Sequence, residues 1–162
     1  MSAPTHLTVR VPITSAQMQT LNTTPLQIIA GTPAQFLNVY NLYLRYFHGT
    51  VPFNAVSGDG FYFFTGTTGL PFIAYPGGEG FIGPSQPATG FVDQTQDMSL
   101  WFKDWMGGGS SQPVSAASGS GLYLCQCNNN SGDGFPPDGT TDWTEGNGSL
   151  LALVEYSLVS AS

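Results

Sequence analysis

Apolar and polar residues alternate with a period of two along much of the chain, and this pattern predicts β-strands. In "HLTVRVPI" the residues Leu7, Val9, Val11 and Ile13 share one face, as in a half-buried strand. The segment 35–47, "QFLNVYNLYLRYF", has two faces that are both largely apolar or aromatic. It therefore predicts a long strand that is covered on two sides.

Further short apolar segments are separated by clusters of Gly, Pro, Asn and Asp, which mark turns. The strand candidates are "LQIIA", "FYFFT", "PFIAY", "GFI", "GFV", "MSLWF", "LYLCQC" and "SLLALVEYSLV". About nine or ten short strands of this kind are typical of a sandwich or barrel and not of βαβ units. We therefore predict one all-β domain over residues 1–162, an antiparallel, jelly-roll-like β-sandwich.

The residues after the first strand carry the signals of a short helix. Thr14 is a suitable N-cap, and Gln17, three residues later, completes a capping box with it. Ile13 and Met18 occupy the two positions of a hydrophobic staple around this pair. The helix must be short, because the residue before Pro25 is pushed away from helical backbone angles.

Two segments depart from the strand pattern. Residues 106–121, "MGGGSSQPVSAASGSG", have the composition of a flexible linker, which predicts a mobile Gly/Ser-rich loop between strands. Residues 75–90, "YPGGEGFIGPSQPATG", form a long Pro- and Gly-rich loop. Loops of this length are uncommon unless they are functional or ordered by a neighbour.

The chain has few charged residues, and most of them are acidic. Only 8% of its residues are Asp, Glu, Lys or Arg, against about 25% in typical globular domains. The cations are Arg10, Arg45 and Lys103, and the formal net charge is −7. Because phosphate binding depends on clustered Lys and Arg, this composition disfavours a nucleic-acid partner.

Targeting signals are not evident in the sequence. The segment "MSAPTHLTVRVPITSA" has no cationic start followed by an apolar run, so we expect no signal peptide. No stretch approaches the roughly 18 consecutive apolar residues of a membrane-spanning helix. We therefore expect a soluble protein made in the cytosol, where Cys125 and Cys127 stay reduced.

The pentapeptide "SGDGF" occurs twice, at residues 57–61 and 131–135. It suggests a metal loop, an internal duplication or two similar turns. The surrounding acidic residues lack the spacing of a calcium loop, and the flanking sequences do not match each other. Since Asp-Gly is a favoured turn dipeptide, we interpret both copies as turns and predict no metal and no cofactor.

Cys125 and Cys127 lie two residues apart on a predicted strand, which places both thiols on one face about 7 Å apart. This spacing is poor for a disulfide. A zinc site would need His6 and His48 as further ligands, and neither has the spacing of a zinc finger. We interpret the cysteines as small buried apolar side chains.

No catalytic motif is present in the sequence, so we expect no enzyme activity. The aromatic residues are better candidates for function. In "LWFKDW", the residues Trp101, Phe102 and Trp105 offer large contact areas, either to the core or to a protein or carbohydrate partner. Tyr75 and Phe81 of the long loop complete the predicted interface residues.

The segment "ITSAQMQTLNTTPLQIIAGTPAQFLNVYNLYLRY" resembles a helix-and-strand pattern of small structural proteins of tailed bacteriophages. The segment "TEGNGSLLALVEYSLV" resembles the last strand of the same family. The matching residues are Ser15, Ala16, Gln17, Leu21, Thr24 and Pro25 in the first motif, and Gly146, Gly148 and Tyr156 in the last. Together the two motifs cover about a third of the chain.

The resemblance implies a non-enzymatic virion protein with a β-sandwich fold. On this basis we expect a capsid decoration (cement) protein on the capsid surface, bound to the major capsid protein as a homo-oligomer, in particular a trimer. The alternative is a tail-associated or receptor-binding protein that contacts host carbohydrate. A sugar-binding module unrelated to bacteriophages is a third interpretation.

Overall fold

The computed structural model describes residues 6–55, 59–66, 86–87, 91–102, 119, 121–128 and 143–160, with the backbone alone at 59–66, 86–87, 100–102 and 127–128. These residues form eight strands and one short helix. In chain order they are β1 (Leu7–Ile13), α1 (Ser15–Met18), β2 (Leu26–Ile29), β3 (Gln35–Phe47), β4 (Asp59–Gly66), β5 (Gln86–Pro87), β6 (Met98–Phe102), β7 (Gly121–Asn128) and β8 (Ser149–Ser160).

The strands form two four-stranded sheets with the orders β1-β8-β3-β6 and β2-β7-β4-β5. Within them β1 pairs with β8, β2 with β7, β3 with β6 and β4 with β5, always antiparallel. The chain therefore behaves as a ribbon of four strand pairs, and successive pairs alternate between the two sheets. This order is that of an eight-stranded jelly roll. The prediction of an antiparallel, jelly-roll-like β-sandwich with one short helix is confirmed.

Buried side chains from both sheets form one hydrophobic cluster. The first sheet contributes Leu37, Val39, Leu42, Leu44 and Tyr46 from β3 and Leu150, Ala152 and Val154 from β8, and the second contributes Ile28, Ile29, Leu122 and Leu124. Removing side chains of this size from water stabilises the fold by about 1.5–3 kcal/mol each. The prediction of a single domain over 1–162 also concerns residues outside the described ranges and stays a prediction.

Aromatic rings close one end of this core. The ring centroid of Tyr46 lies 6.3 Å from that of Phe53 and 6.0 Å from that of Phe91, and Phe53 lies 5.5 Å from Trp143. All four residues are at most 2% exposed. They come from β3 and from three connecting segments, so they join the loops to the sandwich.

Helix α1 begins as the sequence predicts. The Thr14 hydroxyl accepts a hydrogen bond from the Gln17 N–H at 3.3 Å, and the Thr14 N–H donates to Gln17 Oε1 at 2.9 Å. This reciprocal pair is a capping box. Ile13 and Met18, the predicted staple, are both buried in the core cluster.

Strand β3 has the predicted bounds, but the prediction that both of its faces are covered is wrong. The register with β8 shifts between Val39 and Asn41, so Tyr40 is an extra residue in a β-bulge. Before the bulge the buried residues are Leu37 and Val39, and after it they are Leu42, Leu44 and Tyr46. The bulge thus moves the core positions from odd to even numbers. This shift makes both faces of the sequence look apolar, although one face alone lies against the core.

Other predictions need correction. Asp59 and Gly60 pair with Asn128 and Cys127 at the start of β4, so the prediction of a turn at this Asp-Gly is wrong. In "GFV", Phe91 and Val92 are buried in a turn and not in a strand. Cys125 is buried, as predicted.

Several predicted features lie outside the described residues. These are the second "SGDGF" copy, the strand candidates "PFIAY" and "GFI", and the greater part of the segments 75–90 and 106–121. Within those two segments, Gln86 and Pro87 form β5 and Gly121 begins β7.

Candidate interface on the outer sheet face

The sheet β1-β8-β3-β6 carries apolar side chains on the face that points away from the core. Along β8, the buried Leu150, Ala152 and Val154 alternate with the half-buried Leu151 and Leu153. The register places Leu151 between Pro12 and Arg45, and Leu153 between Arg10 and Tyr43. We define the outer face by Arg10, Pro12, Tyr43, Arg45, Phe47, Leu151 and Leu153, together with the residues on the same side further along β3 and β8.

An antiparallel sheet with one solvated face usually alternates apolar and polar residues, so that its outward positions are polar. Here three of the six outward positions of β8 are apolar, namely Leu151, Leu153 and Val159. The far end of the same face carries the cross-strand pair Phe36 and Val159, which are 40% and 43% exposed. This distribution of apolar side chains makes the outer face a candidate contact surface.

A polar band divides the outer face into two apolar regions. Asn41 Nδ2 donates to Glu155 Oε2 at 2.6 Å, and the Tyr40 and Ser157 hydroxyls lie 2.8 Å apart. The His6 ring stacks on Tyr40 with a centroid distance of 4.4 Å. These polar groups are hydrogen-bonded or stacked with one another. The apolar side chains of the outer face therefore lie at its two ends.

At one end of the outer face lies an open groove of about 570 Å³. We call it the β1 groove, and its lining residues are Arg10, Pro12, Ile13, Thr14, Phe47, Ser149, Leu150 and Leu151. The capping box of α1 fixes Thr14 at its rim. Strands β1, β3 and β8 supply the remaining residues.

Two arginines lie on the outer face, and they differ in whether a described carboxylate pairs with them. Arg45 Nη2 lies 3.6 Å from Asp97 Oδ2, and its guanidinium carbon lies 4.9 Å from the centroid of the Phe47 ring. Arg10 is exposed and makes no ion pair with any residue that the structure describes. Arg10 and Arg45 are two of the three cations in a chain of net charge −7.

Asp97 also accepts hydrogen bonds from His48. The His48 N–H lies 3.1 Å and its Nδ1 lies 3.3 Å from Asp97 Oδ1. The pKa of Asp97 lies below its usual value of 3.8, chiefly because the carboxylate accepts hydrogen bonds from the backbone N–H and the ring of His48. The positive charge of Arg45 lowers it further. Asp97 therefore keeps its charge beside Arg45 at neutral pH.

The predicted interface residues occupy a neighbouring strand or lie outside the described residues. Trp101 and Phe102 are in β6, in register with Tyr43 and Leu42 of β3. Their side chains are not among those described, and neither are Trp105, Tyr75 and Phe81. The structure thus places the backbone of Trp101 beside an outer-face residue.

The residues of β1 and β8 that form the outer face were not among the predicted interface residues. The signal was present in the nearly continuous apolar run of "SLLALVEYSLV", because a strand with one solvated face should alternate. Arg10 gave a second signal as a lone cation in the strand "HLTVRVPI".

Within the described part of the chain, no three His, Cys, Asp or Glu side chains come together as metal ligands would. The one described helix is too short to cross a membrane. The outer face offers apolar contact area and an exposed cation, Arg10, and both are suited to binding.

Comparison with known proteins gives little further guidance. No family model matches the chain, and no curated protein matches it. A solved chain from the full particle of Israeli acute paralysis virus heated to 63 degrees is 10% identical, with a TM-score of 0.25, over 98% of this chain and 75% of that one. Likeness at this level carries no functional argument, and the fold assignment stands on the strand order alone.

Proposed function

We propose that the chain is a non-enzymatic virion structural protein, and more narrowly a capsid decoration (cement) protein of a tailed bacteriophage. The jelly-roll strand order is the observation that best supports this proposal, since jelly rolls recur in viral capsid domains. Because one fold serves many functions, the proposal also needs a surface suited to binding. The apolar outer face is such a surface.

A cement protein binds the assembled lattice and not its dispersed subunits. Mass action then stabilises the shell by RT ln(1 + [L]/Kd), about 2.7 kcal/mol per site at a hundredfold excess over Kd. We propose that the major capsid protein is the partner and that the decoration protein sits on the capsid surface as a homo-oligomer, a trimer at local threefold positions. Trp101, Phe102, Trp105, Tyr75 and Phe81 stay candidate anchors for this contact.

The test is reconstitution. Shells of the virus that encodes the chain are prepared without this protein, purified protein is added, and rupture on heating is followed at low and at high salt. We expect a higher rupture temperature that changes little with salt, because few charges are available for screening. An unchanged rupture temperature at saturating protein would overturn the cement assignment.

A tail-associated or receptor-binding protein is the second candidate, because jelly rolls also occur in lectin domains. Copy number separates the two functions. A cement protein approaches the abundance of the major capsid protein in purified particles, whereas a tail component is far scarcer. Assembly of the purified chain into shells by itself would contradict both assignments and make it the shell subunit.

A further inference from the structure

We infer that the β1 groove is the docking site for a carboxylate-bearing segment of the shell protein, an inference that rests on the proposed function. The groove combines an apolar floor with a cation at its edge. A carboxylate flanked by apolar side chains on the shell protein is the complementary chemistry.

The groove has the volume of a small-molecule site, which is enough for a few side chains of a partner. Its volume of about 570 Å³ lies within the range of roughly 300–1,000 Å³ found for ligand sites. Pro12, Phe47 and Leu151 supply apolar surface, and Ser149 and Thr14 add hydroxyl groups near one side. The Thr14 hydroxyl is already bonded to Gln17 in the capping box, so Ser149 is the better placed of the two to bind a partner.

The positive charge of Arg10 favours a partner segment that carries a carboxylate. Arg10 lines the groove, is exposed and makes no ion pair with a described residue, whereas the nearby Arg45 is already paired with Asp97. A guanidinium fork binds a carboxylate through two parallel hydrogen bonds. When an apolar partner segment covers the groove, water leaves the pair and the interaction strengthens.

A second copy of this chain is a poorer occupant. A two-fold contact places identical outer faces against each other, which brings Arg10 and Arg45 of both copies into one interface. The outer face offers Glu155 in return, and Asn41 already binds that carboxylate. A two-fold contact through this face is therefore disfavoured. The expected trimer has heterologous contacts, to which this argument does not apply, and light scattering of the variants tests whether such a contact uses the β1 groove.

The experiment compares binding of four proteins to shells prepared without the decoration protein, measured by co-sedimentation at fixed salt. They are the wild type, Arg10→Gln, Arg10→Lys and the control Ala30→Glu. Ala30 is exposed, follows β2 of the other sheet and does not line the groove, and its substitution lowers the net charge by one as Arg10→Gln does. Thermal melting of each variant in isolation confirms that it is folded.

We expect Arg10→Gln to weaken binding about tenfold or more, because the partner carboxylate loses its counter-charge in a dry contact. Arg10→Lys should fall between Arg10→Gln and the wild type, since it keeps the charge without the fork. Ala30→Glu should bind as the wild type does.

The outcomes separate this inference from the proposed function. If the wild type does not bind the shells, the proposed function is wrong. If the wild type binds and Arg10→Gln binds equally well, the function stands and the docking site is wrong. If light scattering shows a wild-type oligomer that Arg10→Gln dissociates while shell binding is unchanged, a second copy occupies the groove and the inference is overturned.

Discussion

Asp97 contacts both His48 and Arg45. It accepts from the backbone and the ring of His48 and lies 3.6 Å from Arg45. These groups belong to the end of β3 and to the segment after it, whereas Asp97 directly precedes β6. The cluster therefore ties the start of the edge strand β6 to its neighbour.

Asp97→Ala should lower the melting temperature at pH 7 by a small amount, because the carboxylate is exposed and its contacts are screened by solvent. The folded-state pKa of Asp97 lies below the unfolded value of 3.8. The contribution is thus complete above that value and is lost as the pH falls through the folded-state pKa. The difference between wild type and variant should shrink in acid. A difference that is constant from pH 7 to pH 2 would contradict the charge-based explanation.

Gly146 and Gly148 are glycines for different structural reasons. Gly146 has a φ of +114°, a value that side chains rarely adopt. A Cβ on Gly146 would overlap the Phe53 ring, and one on Gly148 would meet the Tyr46 hydroxyl. Both rings belong to the aromatic end of the core.

Gly146→Ala should lower the free energy of unfolding by about 1–3 kcal/mol or more, through backbone strain together with displacement of Phe53. Urea denaturation measures the change. Gly119→Ala is the matched control, since Gly119 also has positive φ but no atom of the described residues lies closer than 3.9 Å to the new Cβ. Equal losses in the two variants would show that strain alone, and not the Phe53 contact, determines the cost.

At the scale of elements, α1 depends on its cap because four residues form too few internal hydrogen bonds to persist alone. Thr14→Ala should cost about 0.5–2 kcal/mol in the free energy of unfolding. Ser15→Ala is the control, since Ser15 lies inside the helix and not at the cap. A silent Thr14→Ala together with a destabilising Ser15→Ala would place the cap one residue later.

Because Tyr40 is an extra residue in β3, we expect the sheet to tolerate its deletion. Removing Tyr40 leaves Val39, Asn41 and Leu42 in regular alternation, so the core positions keep their face. The variant should fold with a loss of about 1 kcal/mol from the hydrogen bond to Ser157, and somewhat more from the lost His6 stacking.

Deletion of Tyr43 is the control for that experiment. It turns Leu44 away from the core and Arg45 towards it, which reverses every later side chain of the strand. We expect it to abolish cooperative unfolding in urea. If both deletions unfold the protein, Tyr40 is required for the fold and the expected tolerance of its deletion is wrong.

Local patterns of apolar and polar residues predicted the bounds of several strands. The bounds of β3 and β6 and the end of β1 follow directly from the sequence. These patterns failed where burial does not follow a regular spacing. The Tyr40 bulge moves the buried positions of β3 from odd to even residue numbers. Strand β5 is only two residues long and contains Pro87, and Phe91 is buried without being in a strand. Burial of a loop residue leaves no periodic trace in the sequence.

At the scale of the molecule, the candidate site could not be predicted because its parts lie far apart in sequence. The β1 groove joins Arg10 and Pro12 to Phe47 and to Leu151, and the strand order alone brings these positions together. The low content of charged residues favoured a binding role, and Arg10 is one of only three cations in the sequence. It could not indicate that β8 lies between β1 and β3.

Metal removal tests the molecule as a whole. The described residues bring no three metal-ligating side chains together, and the "SGDGF" segments lack calcium-loop spacing. We expect no stoichiometric zinc or calcium in the purified protein, and no change of melting temperature with a chelator. A fall of several degrees would show a structural metal.

The position of β8 also has a consequence for the order of events during synthesis. Residues 149–160 lie between β1 and β3 and pair with both. A ribosome must therefore release this strand before the first sheet can close, so the earlier strands emerge with their main partner still missing. Contacts of such long sequence separation fold slowly, and nascent chains with unpaired apolar strands are prone to aggregate. Chains truncated before residue 149 should accordingly be targets for chaperones and proteases.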